Sequence, residues 1–229
     1  MRKRIVLAAA VACAGLTGAA LADSHDFNAS TSRFNPGHAP VSIGAHWVPG
    51  LGIPGQGSGQ GGLLLAISQT VAFPPGASAD ATITGVKGKV LTELGMDHLM
   101  GTYCTNGSPR WDVELSNGGV YAFGCSAGTH SAIPGASNWE RIRYGNADVQ
   151  NLSGPAWPGF GNACCKVTFL QVLSDEGPSA TVLDNLDVNG TLIRGGEDRG
   201  DDNSAVHGRS HKGATAVVAG HRGAGKKEH

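Results

Sequence analysis

Four carboxylates near the C-terminal end of the regularly patterned sequence are the first side chains that could do chemistry. They belong to Asp175, Glu176, Asp184 and Asp187. Calcium takes about six to eight oxygen ligands, mostly carboxylates and backbone carbonyls, and the loops of a β-protein can supply them. The pattern therefore allows a structural calcium ion at these four residues, and no other cofactor is predicted. The alternative is that a carboxylate such as that of Asp184 satisfies nearby backbone groups.

The adjacent pair Asp175-Glu176 could also supply the two carboxyl groups that glycoside hydrolysis requires. That reaction needs two carboxyl groups that face each other across roughly 5 to 10 Å, whereas adjacent strand residues point to opposite faces of a sheet. Gly177-Pro178 follows the pair and favours a turn. The sequence contains no HExxH motif and no phosphate-binding glycine loop followed by lysine. A non-catalytic protein is therefore predicted, with a polysaccharide hydrolase as an alternative.

Aromatic side chains are the candidates for ligand recognition. Trp157 lies in a Pro- and Gly-rich segment that favours a loop, and an exposed indole could stack on the apolar face of a sugar ring. The alternative is that Trp157 packs beneath its own loop. Trp139 and Tyr144, with arginines between them, could line a second polar and aromatic surface. The predicted ligand-binding residues are therefore Trp157, Trp139 and Tyr144.

The first 22 residues predict export. Arg2-Lys3-Arg4 form a positive start, a short apolar stretch follows, and Ala20-Leu21-Ala22 is a small-x-small cleavage site. The apolar stretch is shorter than the roughly 20 residues of a membrane-spanning helix. A lipid-bearing Cys13 is the rival interpretation, which the apolar residues after it disfavour. Residues 1–22 are thus predicted to be a signal peptide, and the mature chain to be secreted or periplasmic.

The predicted export bears on how the remaining cysteines are interpreted. Cys104, Cys125, Cys164 and Cys165 are an even number in an oxidising compartment, which favours disulfides. The segment 109–125 has the pattern of a hairpin and would bring Cys104 close to Cys125, so this disulfide is predicted. The adjacent Cys164 and Cys165 could form a ring, stay reduced, or bridge another chain.

Short apolar runs between turn residues predict an all-β fold. Trp111, Val113 and Leu115 alternate with charged residues, and Asn117-Gly118 supplies a turn. Many short strands without intervening helices favour an antiparallel β-sandwich; only 62–72 could be a helix instead. Strands are predicted at 41–47, 62–68, 79–85, 89–100, 109–116, 119–124, 139–145, 166–173, 181–188 and 191–193.

Composition divides the chain into four parts. Residues 23–40 are polar and rich in Ser, Asn and Pro, which predicts an irregular segment. The sandwich domain is predicted to span 41–194. In 195–229 large apolar residues almost vanish, and such a segment cannot bury enough surface to offset its ordering entropy. This tail is therefore predicted to be disordered.

An ordered series of segments resembles a known family. These segments are Ser108–Val113 with the return to Gly124-Cys125, then Trp139–Tyr144, Ser174–Gly177 and Val182–Gly190. Together they resemble secreted bacterial β-jelly-roll domains of the galactose-binding-like, carbohydrate-binding-module type, in which a strand of the form D-N-hydrophobic-x-V-N-G closes the sandwich. The likeness covers roughly 60–193. It implies a jelly-roll fold and brings no catalytic residues.

The net charge of the chain argues against some classes of binding partner. The net charge is −1 and only 15% of residues are charged, whereas proteins that bind nucleic acid through a basic face are far more positive. No nucleic-acid partner, no membrane span and a monomeric or weakly associating chain are predicted. The favoured function is a binding module for carbohydrate or a cell-surface polymer. The alternative is a structural or adhesive exported protein without a small-molecule site.

Overall fold

Strand pairing organises the chain into two antiparallel sheets. The computed structural model describes residues 27–38, 40–55, 61–69 and 76–195. The first sheet has six strands, in the spatial order β1 (Asn28–Phe34), β4 (Ser78–Thr84), β11 (Val167–Ser174), β6 (Arg110–Leu115), β7 (Val120–Gly124) and β10 (Gln150–Ser153). The second sheet has seven: β2 (Val41–Pro49), β3 (Gly61–Gln69), β12 (Ser179–Val188), β5 (Leu94–Leu99), β9 (Ala136–Arg143) and β8 (Thr129–Ile133), with β13 (Thr191–Ile193) beside β12.

The strand order is that of a jelly roll. Eight strands cross repeatedly between the sheets, giving β3-β12-β5-β9 in one and β4-β11-β6-β7 in the other. This is the double Greek-key arrangement that closes a sandwich from antiparallel strands. The predicted antiparallel sandwich is therefore confirmed, and the ambiguous segment 62–72 contributes strand β3 over Gly61–Gln69.

The core lies between the sheets because one face of each strand is apolar. In β4, Ala79, Ala81 and Ile83 are buried among core residues, while Asp80 and Thr82 alternate with them on the outer face. The largest fully buried core side chains include Trp111, Tyr121, Phe123, Leu63, Leu65, Ile67, Leu94, Met96, Ile142, Leu170, Leu183 and Leu186. A second, smaller apolar cluster contains Ile53, Ile133, Ala136, Trp139 and Val182.

The N-terminal part of the described chain corrects one prediction. Residues 23–40 were expected to be irregular, but Asn28–Phe34 form β1 and pair with β4 along their whole length. The strand carries only one buried residue, Ala29, so main-chain hydrogen bonds hold it where the side chains give no alternating signal. The short strands β8 and β10 were not predicted either. The predicted signal peptide and all of the predicted tail after Gly195 lie outside the described residues.

The four cysteines of the described residues form two disulfide bonds. The predicted Cys104–Cys125 bond is confirmed, with the two Cα atoms 5.3 Å apart. Cys164 and Cys165 form a bond between neighbours in the chain, which was one of three open alternatives. No helix of the described residues has the length and hydropathy that crossing a bilayer requires.

Candidate functional site

Trp157 packs against the core instead of standing free on its loop. Its ring lies 4.8 Å from that of Tyr121, 5.2 Å from that of Phe123 and 5.2 Å from that of Phe160, measured between centroids. Its indole Nε1 donates a hydrogen bond to Oδ1 of Asn146 at 3.1 Å. The structure therefore has Trp157 packed beneath its loop, the alternative that the sequence left open.

Trp139 and Tyr144 do not line an open surface. Trp139 is 2% exposed and belongs to the smaller apolar cluster, and Tyr144 is 7% exposed and contacts Phe123 edge-on. The predicted second aromatic surface is therefore wrong. Residues 136–143 form a strand that buries side chains on both faces, which alternation within the sequence did not reveal.

Two of the predicted calcium ligands are bound to side chains near the end of β11. Arg110 Nη1 donates to Asp175 Oδ1 at 2.6 Å. Glu176 Oε2 accepts hydrogen bonds from the hydroxyls of Tyr103, at 3.0 Å, and Thr105, at 2.8 Å. These two carboxylates therefore anchor the loops that precede β6.

The other two predicted ligands serve strand β12. Asp184 accepts hydrogen bonds from the backbone N–H groups of Ile53, at 2.8 Å, and Asn185, at 2.7 Å. Asp187 forms an ion pair with Arg143 at 2.8 Å. Among the described residues, no three of the four carboxylates lie within 4.8 Å of one another. The structure therefore does not bring the predicted calcium ligands together.

One segment after β7 also matches a motif of serine enzymes, although no catalytic serine was predicted. Gly124–Gly128 match G-x-S-x-G, the pattern of a nucleophilic serine. Ser126 instead donates its hydroxyl to Asn106 Oδ1 at 2.6 Å. The nearby His130 places Nε2 3.0 Å from the carbonyl oxygen of Cys125 and Nδ1 2.9 Å from Oε2 of Glu140, so both of its ring nitrogens have partners other than Ser126. The geometry does not form a serine–histidine pair.

A different group of residues stands out on the outer face of the first sheet. We call the group formed by Phe34, Asp80, Arg110, Asp112 and Gln171 the Asp80 site. Strands β1, β4, β11 and β6 present these side chains side by side. The register sets Asp80 opposite Ser32 of β1 and Leu173 of β11, and Asp112 opposite Gln171. Neighbouring strands are about 4.8 Å apart, so the group spans four strands of the sheet.

Asp80 is the unusual member of the site. It is only 5% exposed, its Oδ1 is buried without a hydrogen-bond partner among the described residues, and its Oδ2 lies at a long distance of 3.5 Å from the hydroxyl of Ser32. Burial raises the pKa of Asp80 to about 6, hydrogen bonds from Ser78 and Ser32 oppose the rise, and the charges of other carboxylates add to it. A polar group left in this state costs free energy.

Arg110 organises the charges beside Asp80. Its Nε donates to Asp112 Oδ1 at 2.8 Å, and its Nη1 reaches both Asp175 and the carbonyl oxygen of Gly107, at 2.8 Å. Burial raises the pKa of Asp112, and the adjacent guanidinium of Arg110 opposes that rise. Two carboxyl groups, those of Asp112 and Asp175, thus share one guanidinium.

Phe34 adds an exposed ring to this polar surface. It is 51% exposed, and no other aromatic side chain of the described residues is classed as exposed. It points to the same face as Ser32, and its register partner is Ser78, two residues from Asp80 on β4. Side chains two residues apart on a strand are separated by about 7 Å. Phe34 and Asp80 therefore lie on the same face of the sheet, on neighbouring strands.

The site combines an apolar ring, an unpaired acceptor, an amide and a guanidinium–carboxylate pair. These are the groups that bind the apolar face and the hydroxyls of a sugar-like ligand. Sequence reasoning missed Phe34 because it lay in the segment expected to be irregular. Asp80 carried a usable signal, since it stands between Ala79 and Ala81 in a strand whose alternate residues are buried.

Comparisons with known proteins give no relative whose properties could be carried over to this chain. Neither family models, nor curated proteins, nor solved structures gave a match to this chain.

Proposed function

We propose that this protein is an exported, non-catalytic binding module for carbohydrate or another hydroxyl-rich cell-surface polymer, and that it binds through the Asp80 site. The observation that carries the proposal is the buried carboxyl oxygen of Asp80, unpartnered among the described residues, on the same sheet face as the exposed ring of Phe34. The two disulfides are compatible with export, which the N-terminal sequence pattern also favours.

A ligand hydroxyl would complete the hydrogen bonding of Asp80. An unsatisfied buried acceptor costs about 1 to 3 kcal/mol, and a donor that reaches it recovers much of that amount. The contact to Ser32 is long, at 3.5 Å, and Ser32 itself is exposed. Rotation about the Cβ–Cγ bond exchanges the two carboxyl oxygens, so a hydroxyl that takes the place of Ser32 can serve either of them.

Phe34 would supply the apolar half of recognition. An exposed aromatic ring on the surface of a sheet can stack on the C–H face of a pyranose without a change in the fold. The polar groups of Arg110, Asp112 and Gln171 lie on the same face of neighbouring strands, within reach of a ligand of several sugar units. An extended polymer is therefore a better match than a single small sugar.

The test is retention on immobilised polysaccharides, with cellulose, xylan, mannan and chitin as the probes. Phe34→Ala and Asp80→Asn are each expected to lower retention at least tenfold on the polysaccharide that binds the unmodified chain. Leu152→Ala is the matched control, because Leu152 is 45% exposed on β10, at the opposite edge of the same sheet. This control is expected to leave retention unchanged.

Three outcomes would count against the proposal. Equal retention of Phe34→Ala and the unmodified chain would remove the Asp80 site as the binding surface. Retention on none of the probes would favour a structural or adhesive protein without a small-molecule site. Release of soluble sugar from a bound polysaccharide would instead favour the hydrolase alternative.

A further inference from the structure

The disulfide Cys104–Cys125 lies beside a buried histidine. Cys104 is in the loop before β6, Cys125 follows the end of β7, and His98 is on β5 with an exposure of 2%. A ring nitrogen of His98 and the two sulfur atoms all lie within 4.8 Å of one another. Among the described residues this is the one group of three or more His, Cys, Asp or Glu ligand atoms that meets that distance.

Glu140 fixes the orientation of the His98 ring. The two residues are register partners on β5 and β9, and Nδ1 of His98 lies 2.9 Å from Oε1 of Glu140. A histidine that binds a metal ordinarily donates its other N–H to a carboxylate in this way, which leaves the remaining nitrogen as the ligand. The second oxygen of Glu140 is held by His130 at 2.9 Å.

Thr102 is the hydrogen-bond partner of the other ring nitrogen of His98, and a metal could take its place. The hydroxyl oxygen of Thr102 lies 2.9 Å from Nε2 of His98 and 2.7 Å from the carbonyl oxygen of Leu99. Its single proton can serve only one of them. If Nε2 bound a metal, the hydroxyl would keep its hydrogen bond to Leu99, and no buried polar atom would lose a partner.

We propose that the chain binds one zinc ion through Cys104, Cys125 and His98 when the Cys104–Cys125 disulfide is reduced. The proposal is independent of the Asp80 site and goes beyond the proposed function. Two sulfur ligands and one imidazole nitrogen are typical of zinc, with water as the fourth ligand. Two thiolates also balance the charge of the ion, so the buried complex is neutral overall.

The chemistry balances in two steps. A dithiol reductant transfers two electrons and two protons to the disulfide, giving the thiols of Cys104 and Cys125 and the oxidised, cyclic reductant. Zinc then replaces the two thiol protons, which are released to water. Cys104 is only half-buried, so a reductant can reach its sulfur, whereas Cys125 is buried.

The test measures zinc bound by the full chain before and after anaerobic reduction with dithiothreitol that is then removed, using a chromogenic chelator as competitor. The oxidised chain is expected to bind no zinc, and the reduced chain one equivalent. Cys104→Ser is expected to lose the site, and His98→Ala to weaken zinc binding at least tenfold. Glu140→Gln tests the positioning role of Glu140 and is expected to weaken zinc binding about tenfold.

The second disulfide provides the control. The double variant Cys164→Ser with Cys165→Ser is expected to keep the full equivalent of zinc, while loss of zinc in this variant would assign binding to the vicinal pair and overturn the proposal. A reduced chain that binds no zinc would also overturn it. So would a reduced chain whose β-sheet circular dichroism spectrum is lost and is not restored by zinc.

Discussion

The outer faces of the two sheets each carry a buried aspartate, but the two carboxyl groups differ in their hydrogen-bond partners. On the second sheet, Asp97 is fully buried, and both of its oxygens are paired. Arg141 donates to them at 2.9 and 3.1 Å, and the amide of Asn185 donates at 2.7 Å. On the first sheet, one oxygen of the buried Asp80 has no partner among the described residues. Burial alone therefore does not distinguish the two carboxylates; the difference is that both oxygens of Asp97 are paired within its sheet, whereas one oxygen of Asp80 has no partner among the described residues.

The second sheet completes its network through a local distortion of β12. The register shifts between Asp184 and Asp187, and Asn185 takes a φ of 43°. This conformation, which asparagine tolerates better than most residues, lets the amide contact both Asp97 and Arg194. The D-N-L-D-V-N-G segment that suggested a family resemblance thus has a structural role here.

The end of the same segment is structural too. Asn189 and Gly190 have φ values of 56° and 79°, which matches the tight turn that joins β12 to β13. The side-chain oxygen of Asn189 also accepts a hydrogen bond from the backbone N–H of Thr92 at 2.7 Å. The end of the motif therefore also stabilises the closing strands of the sandwich.

The comparison is tested most strongly by replacing each buried carboxylate with its amide. Asp97→Asn is expected to lower the free energy of unfolding by about 3 to 5 kcal/mol, because Arg141 and Asn185 then face an amide that cannot accept all of their hydrogen bonds. Asp80→Asn, the matched variant, is expected to be neutral or stabilising at pH 7. Urea denaturation of both variants measures the two effects. Similar losses in both would mean that the two faces do not differ as described.

The pH dependence of stability sharpens the same contrast. The pKa of Asp80 rises from 3.8 to about 6 on folding, so the folded chain holds this proton more tightly than the unfolded chain does. The stability from Asp80 is therefore full below about pH 4 and is lost as the pH rises through 6. A tenfold change in proton affinity corresponds to about 1.4 kcal/mol, so the expected loss is about 2 to 3 kcal/mol.

The measurement is the difference in unfolding free energy between the unmodified chain and Asp80→Asn at pH 4 and at pH 7. Using the variant as the reference cancels the titration of the other carboxylates. The unmodified chain is expected to lose stability relative to the variant as the pH rises. A difference that stays constant across this range would show that the Asp80 carboxyl is solvated like an ordinary surface group.

Local pattern was enough to predict most of the fold. Strands such as β6 carry strict alternation, with Trp111 and Val113 buried, and the turn after them is marked by Asn117-Gly118. Because the two strands of this hairpin are neighbours in the sequence, the hairpin pattern also predicted Cys125 as the disulfide partner of Cys104. These features depend on residues close together in the sequence, where the period of two and the turn residues give direct signals.

The candidate site depends on pairing between distant strands, which the sequence does not encode locally. Phe34 shares a sheet face with Asp80 only because β1 pairs with β4, and β1 is held by main-chain hydrogen bonds along a mostly polar sequence. Trp139 was misjudged for a related reason. It is buried because Ile53 and Val182, from distant parts of the chain, pack with it in the smaller apolar cluster.

The smallest expected effect separates Trp157 from Phe34. Trp157→Ala is expected to lower the free energy of unfolding by about 2 kcal/mol, less than for a fully buried tryptophan, because its ring packs on Tyr121 and Phe123 but is only half-buried. Retention on the polysaccharide is expected to stay unchanged. Phe34→Ala should do the reverse, since an exposed side chain contributes less than about 0.5 kcal/mol to stability. Thermal unfolding and retention, measured on both variants, decide between the two surfaces: lost retention in a stable Trp157→Ala chain would place recognition at the loop and not at the Asp80 site.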